Sequence, residues 1–144
     1  MTRLKIYIAG PYTASDPESV EANVQRAIDA GIEVYRRGHF PYIPHLTHWV
    51  EQRSVLTVAG LRWEDYLTWD RTWLTACDAL LHLASSRGAD LELSWARAEG
   101  MQVFLRLRDV PVVGPHDIRP ESLGLSEVVE TPTGERPEVR RAVQ

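Results

Sequence analysis

The sequence predicts one α/β domain, a three-layer sandwich in which helices cover both faces of a parallel sheet of four or five strands. Three observations support this prediction. Short apolar segments alternate with longer segments whose apolar residues recur at helical spacing, as in βαβ units. The apolar segments are nearly continuous, which is typical of strands buried on both faces. The 144 residues, 44% of them hydrophobic, suffice for one core of ordinary size.

The first half of the chain carries two predicted strands and one long helix. Residues 4–9 are apolar and rich in β-formers, and a Gly-Pro turn signal follows them. Asp16 precedes a Pro-Glu pair and is the predicted N-cap of a helix that Gly38 ends. Residues 40–43 are the second strand. The pattern over residues 45–61 is ambiguous, and we expect a short helix and a loop there.

The second half continues the alternation. A second long helix is predicted over residues 61–76, and the apolar run at residues 79–83 is the third strand. A third helix begins near Gly88, and residues 102–107 form the next strand. Ligands of such sheets bind beyond the carboxyl ends of the strands, so the loops after the strands are the predicted site.

The end of the chain has a weaker pattern. Residues 121–129 are predicted to be one helix or a late strand, and residues 131–144 are polar and Pro-containing, as in a loose tail. We therefore expect a domain over residues 1–130 and a polar C-terminal tail over residues 131–144.

Composition narrows the classes of function. The net charge is −4 and the basic residues form no stripe, which argues against a partner that is a nucleic acid polymer. No apolar run reaches membrane-spanning length, so we expect no membrane partner. The N-terminus leads directly into a strand pattern without the apolar core of a signal peptide, and Cys77 is the single cysteine. These features favour a cytoplasmic protein.

Asp70 is the most informative residue on physical grounds. It shares one helical face with Tyr66, Trp73, Leu74 and Cys77, so a carboxylate lies within an apolar and aromatic stripe. Burying an unpaired carboxylate costs several kcal/mol, roughly, so Asp70 must find a partner or face a cavity. A salt bridge or a cap to a neighbouring loop is the alternative to a catalytic role.

Glu92 is the second candidate. It lies in the first turns of the helix that begins near Gly88, where the positive end of the helix favours an ionised carboxylate by about 0.3–1 kcal/mol. Two carboxylates that reach one cleft from different elements are the minimum set for glycoside chemistry. Ordinary capping is the alternative for Glu92. Tyr7 in the first strand has a hydroxyl that needs a partner, such as a carboxylate, although plain core packing is equally compatible.

The histidines raise the question of a metal. His45 and His48 have a ligand-like spacing if they are helical, but no cysteine or glutamate completes a familiar zinc pattern. We expect them to line the pocket or to cap the following helix. A metal-assisted hydrolase using these two histidines is the weakest of the three functional classes considered.

Three motifs together resemble the nucleoside 2-deoxyribosyltransferase superfamily, including a branch of short, poorly characterised proteins (DUF4406-like) near the deoxynucleoside monophosphate N-hydrolases. They are IYIAGP at residues 6–11, D-x-x-W-L-x-x-C-D-A at residues 70–79 and S-x-G-A-x-x-E at residues 86–92. Their order and spacing are more specific than any one of them.

The resemblance implies a flavodoxin-like sheet and a retaining enzyme that needs no metal or organic cofactor and forms a homodimer or larger homo-oligomer. It implies Glu92 as the nucleophile, Tyr7 as the residue that orients it, and Asp70 as the group that protonates the leaving base. The predicted substrate contacts lie on three loops: Gly10, Pro11 and Tyr12; His45; and Ser86, Arg87 and Gly88.

The predicted function is therefore cleavage or transfer at the N-glycosidic bond of a nucleoside or its 5′-monophosphate. The guanidinium group of Arg87, beside a predicted helix N-terminus, matches the geometry of a phosphate group. This match favours nucleotides over nucleosides as substrates. The alternative is a non-catalytic nucleotide-binding sensor on the same fold.

Overall fold

Two structural units make up the chain, Met1–Gly114 and Pro115–Gln144. The computed structural model describes residues 2–57, 60–129 and 138–141. The predicted boundary between residues 130 and 131 lies outside the described residues.

The first unit is built on a parallel sheet. Its strands are β1 (Lys5–Ala9), β2 (Phe40–Tyr42), β3 (Ala79–His82) and β4 (Gln102–Phe104). They lie in the order β2-β1-β3-β4, and every pairing is parallel. In the register of the sheet, Ile6 on β1 is paired with Pro41 on one side and with Ala79 on the other. The sheet therefore has the four-stranded parallel arrangement that the alternating pattern predicts.

Four helices accompany the sheet: α1 (Pro17–Arg36), α2 (Thr47–Ser54), α3 (Trp63–Thr75) and α4 (Arg87–Ala98). Asp16 caps α1, because its side chain accepts a hydrogen bond of 2.8 Å from the backbone N–H of Ser19. Ser86 caps α4 in the same way through the N–H of Ala89. A 3₁₀ turn at Pro44–Leu46 precedes α2, so the ambiguous stretch is a short helix followed by a loop.

The core lies on both faces of the sheet because successive side chains of β1 point in opposite directions. Ile6 and Ile8 pack with Val34 of α1 on one face. On the other face Tyr7 and Ala9 pack in a cluster with residues of α3 and α4: Leu74, Ala89 and Ala96. This arrangement confirms the predicted flavodoxin-like three-layer fold.

The second unit contains a 3₁₀ turn at Pro120–Leu123 and an antiparallel pair of strands, β5 (Leu125–Val129) and β6 (Glu138–Arg141). A register irregularity lies between Leu125 and Glu127. Of the two alternatives for residues 121–129, the strand is the one found for Leu125–Val129. Within the segment expected to be a polar tail, Glu138–Arg141 is a strand. None of the described helices in the chain has the length and apolar character needed to cross a membrane.

Candidate functional site

A cleft of about 610 Å³ opens at the carboxyl ends of the strands of the first unit. Residues that follow β1, β2 and β3 line it, together with one face of α3 and the first turns of α4. Eight of the ten predicted site residues are in its wall: Gly10, Tyr12, His45, Asp70, Ser86, Arg87, Gly88 and Glu92. The other two, Tyr7 and Pro11, contact members of the wall. The cleft therefore lies where the parallel topology predicts a ligand site.

Glu92 is held at the base of this cleft by a buried tyrosine. Its side chain is 8% exposed, and Tyr7, which is fully buried on β1, donates a hydrogen bond from its hydroxyl to Oε2 of Glu92. Because the two residues are 85 positions apart, this contact depends on the packing of α4 against the sheet. The tyrosine fixes one carboxylate oxygen.

The ionisation of Glu92 differs from the expectation based on the helix N-terminus. The pKa of Glu92 is raised from 4.5 to about 8, chiefly by burial; the hydrogen bond from Tyr7 lowers it and the charge of Asp70 raises it. The helix end contributes less than about 1 kcal/mol, whereas desolvation of a buried carboxylate costs several. The helix end therefore favours ionised Glu92 by less than burial disfavours it. Burial outweighs the helix dipole.

Asp70 faces the same cleft from α3. Burial raises its pKa to about 7. Its Oδ1 atom is buried and has no hydrogen-bond partner among the residues that the structure describes. Neither the salt bridge nor the loop cap considered as alternatives is found within that part of the chain. An unpaired buried carboxyl oxygen is unfavourable, so this atom is available to a donor on a ligand.

Three rings connect the base of the cleft to the surface. The ring of Tyr42 on β2 lies 5.6 Å from that of Tyr7, and the ring of Trp73 stacks on Tyr42 at 5.7 Å with an angle of 19° between the planes. We call Tyr7, Tyr42 and Trp73 the aromatic stack. Trp73, the outer member of the stack, is 51% exposed. The stack restricts the position of the Tyr7 ring and so of its hydroxyl.

His45 lies in the cleft wall and is hydrogen-bonded through one of its two ring nitrogens to the loop after β1. It is 4% exposed, and its Nε2 lies 3.0 Å from the carbonyl oxygen of Gly10 and 3.1 Å from that of Pro11. Since carbonyl oxygens only accept, Nε2 carries the hydrogen, and Nδ1 is an acceptor. Nδ1 is buried without a partner among the described residues, and burial lowers the pKa of His45.

The two histidines proposed as metal ligands have different surroundings. The Nδ1 atom of His48 is 3.0 Å from the hydroxyl of Tyr12, and His48 is not in the cleft wall. Across the described ranges, no group of three or more His, Cys, Asp or Glu side chains is arranged to hold a metal ion. His45 and His48 thus have separate hydrogen-bond partners.

The loop after β3 is organised by contacts to the side chain of Asp90 on α4. Asp90 accepts hydrogen bonds from Ser85 at 2.5 Å and contacts Nε2 of His82 at 2.9 Å. The guanidinium of Arg87 lies 5.2 Å from the centre of the Trp63 ring, a cation–π distance. Arg87 therefore has an aromatic neighbour within the wall itself.

Sequence reasoning missed several wall residues, of which Glu51 and Trp63 matter most. Glu51 on α2 accepts a hydrogen bond from the hydroxyl of Tyr12, 39 positions away. No sequence pattern connects these two residues.

Comparison with known proteins identifies a family. No curated protein matches the chain. The family described as a domain of unknown function (DUF4406) matches residues 4–105, which are 102 of the 144 residues and run from just before β1 to just past β4. This match carries no activity, so the resemblance to nucleoside 2-deoxyribosyltransferases remains an expectation. The chain belongs to the DUF4406 family.

Proposed function

We propose that the protein cleaves or transfers the N-glycosidic bond of a nucleoside or nucleotide through a covalent glycosyl-enzyme on Glu92. The observation that carries the proposal is the pair of carboxyl groups, Glu92 and Asp70, in the wall of one cleft. One is oriented by a buried tyrosine, and the other has an unpaired oxygen. A nucleophile and a proton donor are the two groups that a retaining glycosidase requires.

The two acids share a proton near neutrality. Burial raises the pKa of Asp70 to about 7 and that of Glu92 to about 8, so the pair retains a proton near neutrality. The reactive form has Glu92 ionised and Asp70 protonated. The hydrogen bond from Tyr7 lowers the pKa of Glu92 and so acts toward this form, because a hydroxyl donor stabilises the charged carboxylate. The pKa of Glu92 still lies above that of Asp70, so the reactive form is the less populated of the two arrangements of the shared proton. Because the charge of Asp70 acts on Glu92, the titration steps belong to the pair rather than to either residue.

In the first step, an oxygen of ionised Glu92 attacks C1′ of the sugar. The bond from C1′ to the base nitrogen breaks, and its electron pair leaves with the base. Asp70 transfers its proton to the departing base, so the base leaves neutral and Asp70 becomes a carboxylate. The sugar is then an ester of Glu92.

In the second step, water or a second base attacks C1′ and displaces the Glu92 carboxylate. Asp70 accepts the proton of the incoming group, which restores the starting form of both acids. Water gives hydrolysis, and a base gives transfer. The product ratio at a fixed concentration of free base distinguishes a hydrolase from a transferase.

A second function, a nucleotide sensor on the same fold, is favoured by one observation. With a pKa of about 8, Glu92 is largely protonated at neutral pH, and a protonated carboxyl group is a poor nucleophile. A sensor would be stabilised by its ligand through mass action without forming products. Product analysis therefore separates the two functions.

The test is base release from deoxynucleosides, ribonucleosides and their 5′-monophosphates, with and without a second free base. We expect turnover by the natural protein and its loss in Glu92→Gln. The matched control is Glu99→Gln, which makes the same change at an exposed residue next to the end of the same helix. Stabilisation by ligand with no product from any substrate would favour the sensor, and no turnover and no stabilisation would refute both functions.

We further propose that the protein acts in the cytoplasm as a homo-oligomer. Self-association is supported by large apolar side chains that remain exposed on the first unit, including Trp49, Leu56 and Trp73 at 48%, 75% and 51%. The free thiol of Cys77 suits a reducing compartment. Light scattering of the purified protein measures the oligomeric state, and a monomer at all concentrations would contradict this part of the proposal.

A further inference from the structure

The aromatic stack links the two acids of the cleft. Tyr7 and Tyr42 are partners in the register of β1 and β2, and the ring of Trp73 on α3 stacks on that of Tyr42. At the inner end, the hydroxyl of Tyr7 donates to Glu92. At the outer end, Trp73 is three residues from Asp70 on α3, so these two side chains are neighbours on the helix surface. A continuous series of contacts therefore runs from one acid to the other.

The stack adds to the contacts that position α3. Leu74 is the one buried residue of this helix, all of which the structure describes, and it packs in the core. The guanidinium of Arg71 lies 5.2 Å from the centre of the Trp95 ring on α4, a cation–π distance. The contact of Trp73 with Tyr42 differs from these, because paired rings have a preferred distance and tilt. The stack therefore restricts how far α3 shifts or rotates against β1 and β2.

The charges of both acids act on the middle ring of the stack. Burial is the main cause that raises the pKa of Tyr42, a hydrogen bond from Trp69 lowers it, and the charges of Asp70, Cys77 and Glu92 raise it. The charge of Asp70 also raises the pKa of Glu92, after the larger effects of burial and a hydrogen bond. Because such an interaction weakens as the charges move apart, the coupling of Asp70 to Glu92 reports the separation of their carboxyl groups.

We infer that Tyr42 and Trp73 are positioning residues that set the separation of the Asp70 and Glu92 carboxyl groups. The catalytic consequence of this inference rests on the proposed function, because a retaining mechanism needs carboxyl groups about 5–5.5 Å apart. Neither aromatic residue is in the wall of the cleft, so the effect of each on a substrate is indirect. Loss of the stack should therefore lower kcat more than it changes KM, since a misplacement of about 1 Å can cost about 100-fold in rate.

The first test measures the separation of the acids without any substrate. Carbon NMR gives the pKa of the Glu92 carboxyl group, and the change in this pKa when Asp70→Asn is added measures the coupling of the two acids. In Trp73→Leu the helix α3 loses its stacked contact and samples wider separations. A widening from about 5 to about 7.5 Å lowers a Coulomb interaction by about a third, so we expect the coupling to fall by about a third or more.

Three variants complete this test. Trp73→Phe keeps a ring that can stack on Tyr42 and should retain most of the coupling. Trp73→Gln repeats the loss of the ring with a polar side chain, which keeps the test decisive if the leucine variant does not fold. The matched control is Trp49→Leu, which makes the same change at a similarly exposed tryptophan on α2, 48% against 51% exposed, and should leave the coupling unchanged.

The second test compares kcat and KM on the nucleosides and monophosphates that the natural protein cleaves. We expect Trp73→Leu to lower kcat about tenfold or more, with a change in KM of less than about twofold, and Trp73→Phe to recover most of the loss. Coupling that is unchanged in Trp73→Leu and in Trp73→Gln, or a raised KM with an unchanged kcat, overturns the inference. If the natural protein releases no base from any substrate, the proposed function fails, and the coupling measured by NMR alone decides the inference.

Discussion

Replacing Glu92 by glutamine should remove much of the pH dependence of the protein's stability. The folded protein raises the pKa of Glu92 from 4.5 to about 8, chiefly by burial, so it binds this proton more tightly than the unfolded chain does. The stability from this group is fully present below about pH 4.5 and is lost as the pH rises through about 8. One pKa unit corresponds to about 1.4 kcal/mol. Between about pH 5.5 and pH 8.5 the natural protein should therefore lose roughly 3 kcal/mol of stability through Glu92.

Urea unfolding followed by tryptophan fluorescence at these two pH values measures the effect. Glu92→Gln cannot titrate, so its free energy of unfolding should fall by roughly 3 kcal/mol less than that of the natural protein over the same range. A smaller loss should persist through Asp70 and be removed when Asp70→Asn is added. The contribution of His45, whose pKa burial lowers, has the opposite sign and should remain in every variant. Glu99→Gln should behave like the natural protein. Equal losses in the natural protein and in Glu92→Gln would refute the assignment of a buried, proton-binding Glu92.

Two further substitutions test the support of the site and of the fold. Tyr7→Phe removes the hydrogen-bond donor that lowers the pKa of Glu92, so this pKa should rise by about one unit. Carbon NMR of the Glu92 carboxyl group measures the pKa. An unchanged value would show that the Tyr7 hydroxyl does not stabilise the ionised form. Gly38→Ala should destabilise the protein by about 2 kcal/mol or more, because Gly38 has a φ of +99° and an added Cβ would lie 2.3 Å from the carbonyl oxygen of Gly114. Gly100→Ala, at a φ of +67° with open space around the Cβ, is the control in thermal unfolding and should cost less. Equal costs at the two glycines would contradict the role of the close approach.

The parts of the fold that depend on local pattern were predictable from the sequence. Asp16 and Ser86 cap α1 and α4 through contacts three residues away, and such short-range chemistry is visible in a sequence. Asp70 is recognisable as a candidate in the sequence because its carboxyl group lies among apolar and aromatic residues that recur at helical spacing. The parallel direction of neighbouring strands follows from their alternation with helices.

The parts that depend on packing between distant segments were not predictable. The ionisation of Glu92 is controlled by burial beneath the cleft, and a sequence shows the helix dipole but not the depth of a side chain. The contact between Tyr12 and Glu51 joins a loop after β1 to a helix after β2, within a stretch whose pattern was ambiguous. Only the relative placement of those segments shows that Glu51 faces the cleft.

The aromatic stack gives this protein a built-in optical signal. Absorption and circular dichroism of stacked rings depend on their mutual distance and tilt, and the outermost ring, Trp73, also senses solvent. A ligand or a proton that moves the Glu92 carboxylate must move the hydroxyl of Tyr7, and this ring is 5.6 Å from the next member. Occupancy of the cleft should therefore be readable from the near-ultraviolet spectrum of the unlabelled chain.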